Sequence, residues 1–154
     1  MLGRPRRLRL YVDGAIGDGR GRAGLGALFR DEAGRVLHMV SGVGERMTCN
    51  EAEYAALLLG LREALKLRPA RLDVFMDSQV VVAQMTGRAH VAAETLRPWH
   101  QAATRLVRSL GAVSFSHISR EDNRLADALA GEALRKGARP AAPPPGARAQ
   151  PAAR

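Results

Sequence analysis

Residues 48–61 read TCNEAEYAALLLGL, and the way this helix faces decides how the rest of the chain is read. At about 100° per residue, Arg62, Glu63 and Lys66 mark its wet side. Glu51 falls beside that side, free to cap the helix from Thr48 or to face water. Glu53 falls opposite, in one row with Leu57, Gly60 and Ala64. A carboxylate on the face a helix buries calls for a partner on the surface it meets. The small residues Gly60 and Ala64 let the helix sit close enough to deliver it.

Three strands precede the helix. RLRLYVD alternates Leu8, Leu10 and Val12 against Arg9, Tyr11 and Asp13. GLGALFRD and RVLHMVSG follow, separated by the tight-turn composition DEAG. The helix runs from Asn50 to about Leu67 and is stopped by Pro69. RLDVFMD is a short strand, after which Ser78 caps the helix QVVVAQM, ended by Gly87. A longer helix spans about Glu94 to Leu110, with Pro98 in its first turn. AVSFSHI is a fifth strand, and EDNRLADALAGEALRKG a last helix ended by Gly137. The order βββαβαβα implies an α/β fold with a five-stranded mixed sheet, three antiparallel strands and then parallel ones, flanked by helices.

Sites in such open sheets form outside the carboxyl ends of the parallel strands. Two strands end in aspartate at that edge, Asp13 and Asp77. Glu53 meets the same edge from its helix. Asp127 lies beside the apolar stripe of the last helix, near Ala130 and Gly131, with Asn123 one turn earlier. Each has a plainer reading alone: Asp13 as a turn residue before Gly14, Asp77 as the start of the turn to Ser78, Asp127 as a surface carboxylate. Glu53 has the sharpest one, because Asn50-x-x-Glu53 has the form of a capping box; Thr48-x-x-Glu51 is a second possible box that leaves Glu53 unoccupied. Four carboxylates at one edge repel strongly without metal. Hard oxygen ligands suit Mg²⁺ or Mn²⁺ rather than zinc, and paired Mg²⁺ ions serve in-line displacement at a phosphodiester.

Asp13-Gly14, Asn50-x-x-Glu53, Asp77-Ser78-Gln79 and Asn123-x-x-x-Asp127, in this order, resemble type 1 ribonuclease H. The match runs from about Leu8 to Leu134. The resemblance implies a ribonuclease H-like fold and hydrolysis of the RNA strand of RNA–DNA hybrids with two Mg²⁺ ions, leaving 5′-phosphate and 3′-hydroxyl ends. It implies that Asp13 bridges the metals, that Glu53 and Asp77 hold the leaving-group metal, and that Asp127 helps hold the other. It further implies that Gly14, Asn50, Glu53 and Gln79 read the 2′-hydroxyl, that Arg46 and Thr48 hold the DNA strand, and that Asn123 belongs to the substrate-binding set. Double-stranded RNA is a further candidate substrate. Cys49 falls where members often carry a polar residue that contacts substrate.

Two features set this sequence apart within the family. HISREDN is short, and His117 is in phase with Val113 and Phe115, so it reads as a strand residue rather than the histidine of a mobile loop. Between Asp77 and Leu110 there is no room for the basic, tryptophan-containing protrusion of some members. This is similar to the shorter archaeal and plant-like branch. Arg88, Arg97 or the N-terminal arginines are candidates to substitute, and Trp99 reads as core packing.

Composition agrees. The 154 residues carry a net charge of +9 with a pI near 11.2, which favours a polyanionic partner. Aromatic content of 4% gives little support for a stacking platform. The single cysteine excludes an internal disulfide and suits a reducing compartment; no stretch reads as a signal peptide or membrane span, so a soluble, monomeric cytoplasmic protein is expected. Residues 1–137 form the expected domain, and 138–154, rich in Pro, Ala, Gly and Arg, an expected disordered tail. Proofreading exonucleases need Asp-x-Glu where this chain has Asp13-Gly14-Ala15. Sugar kinases and actin-like ATPases also begin with an Asp-Gly turn but need a second nucleotide-binding domain that 154 residues cannot hold. GAIGDGRGRAG precedes a strand, so it reads as a flexible hairpin turn and not a phosphate loop. A non-catalytic module binding hybrid or double-stranded nucleic acid is the alternative from another class.

Overall fold

The computed structural model describes residues 6–17, 21–137 and 142–147. Strands β1 (Arg7–Ile16), β2 (Ala23–Arg30) and β3 (Val36–Gly44) lead into helix α1 (Cys49–Leu67). Then come β4 (Arg71–Met76), α2 (Gln79–Met85), α3 (Arg97–Leu110), β5 (Val113–His117), a 3₁₀ turn (Arg120–Asn123) and α4 (Arg124–Lys136). The sheet order is β3-β2-β1-β4-β5. The first three strands pair antiparallel, and β1–β4 and β4–β5 pair parallel. The crossover from β4 to β5 holds two helices rather than one continuous layer.

The period-2 pattern of β1 does what alternation demands: Leu8, Leu10 and Val12 are buried beneath α1. A β-carbon on Gly60 would meet Leu10 at 2.9 Å and Val12 at 3.0 Å, so the expected close approach of α1 is real. On the other face α4 lies against β2, where a β-carbon on Gly26 would meet the Ala126 carbonyl at 2.6 Å. Two helices thus grip the central strands from opposite sides, and their near ends meet the same sheet edge.

One boundary differs from the sequence reading: helix α3 begins at Arg97, three residues after Glu94, because the preceding residues form turns and Pro98 sits at the helix start. Helix α1 ends at Leu67 as expected, capped by Arg68 in a left-handed conformation (φ 52°) with its amide bonded to Ala64 O. The segment 86–96 between α2 and α3 holds no helix, in keeping with the missing protrusion. The middle of the expected flexible turn after β1 lies outside the described residues. So do residues 138–141 and 148–154 of the expected tail.

Residues 142–147 of the expected tail lie against the domain. Arg62 Nη1 donates to the Ala142 carbonyl at 3.1 Å, Pro144 is buried, and Ala147 packs against the hydrophobic core. A proline-rich segment has little chain entropy to lose, so even a small apolar contact suffices to seat it.

Candidate active site

The site starts from strand register. Tyr11 pairs with Phe75 across the parallel β1–β4 ladder. Continuing that register by two residues brings Asp13 opposite Asp77, both at the carboxyl edge. Helix α1 supplies Glu53 from above. Its approach depends on Gly14, where a β-carbon would meet the Ala52 carbonyl at 2.4 Å. Without a side chain there, the Gly14 amide donates to Glu53 Oε1 at 3.0 Å and fixes the carboxylate. Asp13, Glu53 and Asp77 each offer an oxygen, all within 4.8 Å of one another. Asp127, exposed on α4, joins them in lining an open cleft of ≈ 450 Å³.

Electrostatics separate this cluster from an ordinary buried acid. Asp73, also buried on β4, is bonded by Arg7 Nε at 2.6 Å, Ser114 Oγ at 2.6 Å and Arg71 Nε at 3.2 Å. Burial alone would raise its pKa, but Ser114, Arg7 and Arg71 hold it below the usual carboxylate range. Asp13 behaves in the opposite way. Burial pushes its carboxyl up to about 9, with the Glu53 charge, a contact with Asp127 and the Asp77 charge adding to the effect. Burial raises Glu53 to about 7, although the Gly14 amide and Arg120 act against it. A divalent cation among these oxygens would reverse both shifts.

The donor set fits such a cation. Glu53 Oε2 is buried without a hydrogen-bond partner, and three hard oxygen ligands converge beside it. Three clustered carboxylates, with Asp127 lining the same cleft and no histidine or cysteine in the cluster among the described residues, suit Mg²⁺ or Mn²⁺ better than zinc.

The other expected residues distribute unevenly. Gln79 is exposed at the start of α2, where Ser78 Oγ caps the helix by accepting from Val81 N at 3.3 Å. Asn50 is half-buried in the first turn of α1. Arg46 is exposed, at φ 56°, in the loop leading to that turn. Thr48 is the N-cap of α1: its hydroxyl accepts from Glu51 N at 3.2 Å and donates to Glu51 Oε1 at 3.1 Å. Asn123 does not reach the cleft surface. It is 1% exposed, and its Nδ2 donates to the Val12 carbonyl at 2.9 Å, bracing β1 beneath Asp13. His117 is exposed as the last residue of β5, a strand residue as its phase suggested.

Of the two readings of Glu51, the structure bears out the cap from Thr48 and not exposure to water, the residue being 4% exposed. Its Oε1 accepts from Thr48 N at 3.2 Å, and its Oε2 accepts from Trp99 Nε1 at 3.2 Å. The box that operates is therefore Thr48–Glu51, which leaves Glu53 to the site. Sequence reasoning missed Arg120, which the 3₁₀ turn after β5 brings into the cleft facing Glu53. The signal was the short connection SREDN, where Ser119 Oγ accepts from Asp122 N at 3.3 Å and tightens the turn.

Comparison with known proteins gives the same picture. The family model described as reverse transcriptase-like matches residues 11–133. A bifunctional protein of Mycobacterium tuberculosis is 34% identical over 135 residues, covering 86% of this chain and 37% of that protein. The chain thus spans little more than a third of that relative's length. The RNase H1 structure from the archaeon Halobacterium salinarum aligns with a TM-score of 0.80 at 32% identity, covering 84% of this chain and 98% of that one. The structure of LC11-RNase H1 in complex with RNA/DNA hybrid aligns with a TM-score of 0.79 at 33% identity, with 84% and 98% covered. Sequence, topology and the acidic cluster agree: the chain belongs to the type 1 ribonuclease H family, which is metal-dependent.

Proposed function

We propose that the chain is an endoribonuclease that hydrolyses the RNA strand of RNA–DNA hybrids with two Mg²⁺ ions, leaving 5′-phosphate and 3′-hydroxyl ends. The observation that carries this reading is the convergence of Asp13, Glu53 and Asp77 within 4.8 Å around a buried carboxylate oxygen that lacks a partner. The hybrid held by LC11-RNase H1 supports the choice of substrate. Asp13, Glu53 and Asp77 would hold one ion, and Asp13 with Asp127 the other; Mn²⁺ is a substitute. When bound, the ions supply a nucleophile at neutral pH and stabilise charge on the departing oxygen.

The chain's own residues then have distinct tasks. Gly14 holds the Glu53 carboxylate in place through its amide. Arg120, which lines the cleft, meets the scissile phosphate or the phosphate of the product. Asn50, Gln79 and the backbone at Gly14 face the RNA strand and its 2′-hydroxyl. Arg46 and Thr48 grip the DNA strand. The net charge of +9 draws the hybrid in. The protein acts as a monomer in a reducing cytoplasm, which the exposed Cys49 suits. Among the described residues no helix is long and apolar enough to cross a membrane.

The experiment is cleavage of an end-labelled RNA–DNA hybrid, run beside RNA–RNA and DNA–DNA duplexes, with Mg²⁺, Mn²⁺ or EDTA. Cleavage of the RNA strand that EDTA abolishes is expected. Binding without cleavage in both metals would overturn the enzyme in favour of a binding module. The RNA–RNA lane decides whether double-stranded RNA is also a substrate.

A further inference from the structure

The first turn of α1 carries two kinds of proposed function on either side of Glu51. Thr48 and Asn50 come before it, on the nucleic-acid side; Glu53 follows, on the metal side. A capping-box glutamate is ordinarily a solvated surface residue whose task ends with the helix start. Here it is buried and roofed by an indole 48 residues away. Oε1 serves the cap, and Oε2 is given to Trp99 Nε1 at 3.2 Å.

Trp99 itself is well held. It is 3% exposed in the first turn of α3, beside Pro98 at the helix start. Residues 142–147 reach the same corner: a β-carbon on Gly146 would lie 3.8 Å from Pro98 Cβ, and Ala147 packs against the core. The start of α3 is thus a fixed post, and the Glu51–Trp99 bond ties the start of α1 to it. The Gly14 amide fixes one oxygen of Glu53, and the close approach of Ala52 to Gly14 seats the turn on β1; the Glu51–Trp99 bond holds the same turn from the side of α3.

We propose that Glu51 and Trp99 are positioning residues of the active site: their bond sets where the first turn of α1 presents Glu53 to Asp13 and Asp77. This rests on the metal-dependent reading above. It goes beyond that reading by assigning a role in metal binding to two residues that touch neither metal nor nucleic acid. A bond that only stabilised the fold would lower the melting temperature and leave metal affinity alone.

The test uses the whole chain and Mg²⁺ alone as the probe. Mg²⁺ binding is measured by calorimetric titration for the wild type, Trp99→Phe and Glu51→Gln, with melting temperatures taken in parallel. Trp99→Phe removes the donor and keeps a ring; Glu51→Gln keeps a cap acceptor and removes an oxygen, so one variant suffices if the other fails to fold. Folded variants are expected to bind Mg²⁺ about tenfold more weakly, the lower end of what partners of metal ligands contribute. Because Trp99 is the only tryptophan, Mg²⁺ should also change its fluorescence in the wild type, saturating with the calorimetric midpoint. Unchanged Mg²⁺ affinity in a folded variant, or a wild-type emission blind to Mg²⁺, overturns the proposal. Hybrid cleavage is scored separately, so a wild type that binds Mg²⁺ through this coupling but cuts no hybrid would sink the nuclease reading and leave the positioning role standing.

Discussion

Glu53 gives Oε1 to the Gly14 amide at 3.0 Å and buries Oε2 with no hydrogen-bond partner. The pairing holds the carboxylate at a fixed angle while keeping one oxygen for something not made of protein. It also requires a glycine, since the same approach puts a β-carbon 2.4 Å from the Ala52 carbonyl. Helix packing and site chemistry thus both depend on this residue.

The raised pKa of Asp13 predicts an inverted stability profile. Its folded value of about 9 lies above the ordinary 3.8, so the folded state holds an extra proton between those limits. The stability it contributes is fully present below about pH 4 and is lost as pH rises through 9. Asp13→Asn should therefore melt higher than wild type at pH 7 and no higher at pH 3.5, by calorimetry. The variant should lose more than about 100-fold in cleavage, exceeding what the loss of a partner to a metal ligand costs. Mg²⁺ should raise the wild-type melting point at pH 8, and do so far less in Asp13→Asn.

Arg120 acts against the burial that raises Glu53. Arg120→Ala should let the Glu53 carboxyl rise further, so that a deprotonated site needs higher pH. The acid limb of the pH–rate profile is expected to move upward, with the maximal rate falling by about 10²-fold. An unmoved limb with a normal rate would remove Arg120 from the site.

At Gly24 an added β-carbon would run into the Ala130 carbonyl of α4. Overfilling a contact between backbones should cost roughly 1–3 kcal/mol. Gly24→Ala is expected to shift the urea midpoint down by that amount. It should also impair cleavage more than stability alone explains, because α4 carries Asp127.

Removal of the chain after Gly137 should cost about 1 kcal/mol, a drop of about 4 °C in melting temperature. The loss comes from burial of Pro144, packing of Ala147 and the Arg62–Ala142 bond. An unchanged melting temperature would mean that this segment contributes nothing in solution.

The fold and the acidic cluster were legible because they follow from short-range periodicity. Leu8, Leu10 and Val12 declare one face of β1, and the row Glu53, Leu57, Gly60, Ala64 declares one face of α1. Aspartates at two strand ends then fall at the same level once the strands run parallel. The Thr48–Glu51 box was legible from spacing, but the burial of Glu51 was not, because it depends on Trp99, which no local pattern connects to it. Arg120 was missed because a tight turn, rather than a face, aims it. For Asn123, whether the amide points at substrate or at the Val12 carbonyl depends on packing that spacing does not encode. The contacts of residues 142–147 follow the same rule: composition speaks to what a segment can bury, not to the shelf that α1 and α3 offer it.

The bond from Asn123 to Val12 spans 111 residues, and this gives the molecule an order of manufacture. During synthesis β1, α1 and β4 leave the ribosome well before α4. Until α4 arrives, the β2 glycines lie bare, Val12 lacks its brace, and Asp127 is not yet beside Asp13. On the proposed chemistry, a half-made chain is a harmless one, unable to cut the nucleic acids around the machine producing it.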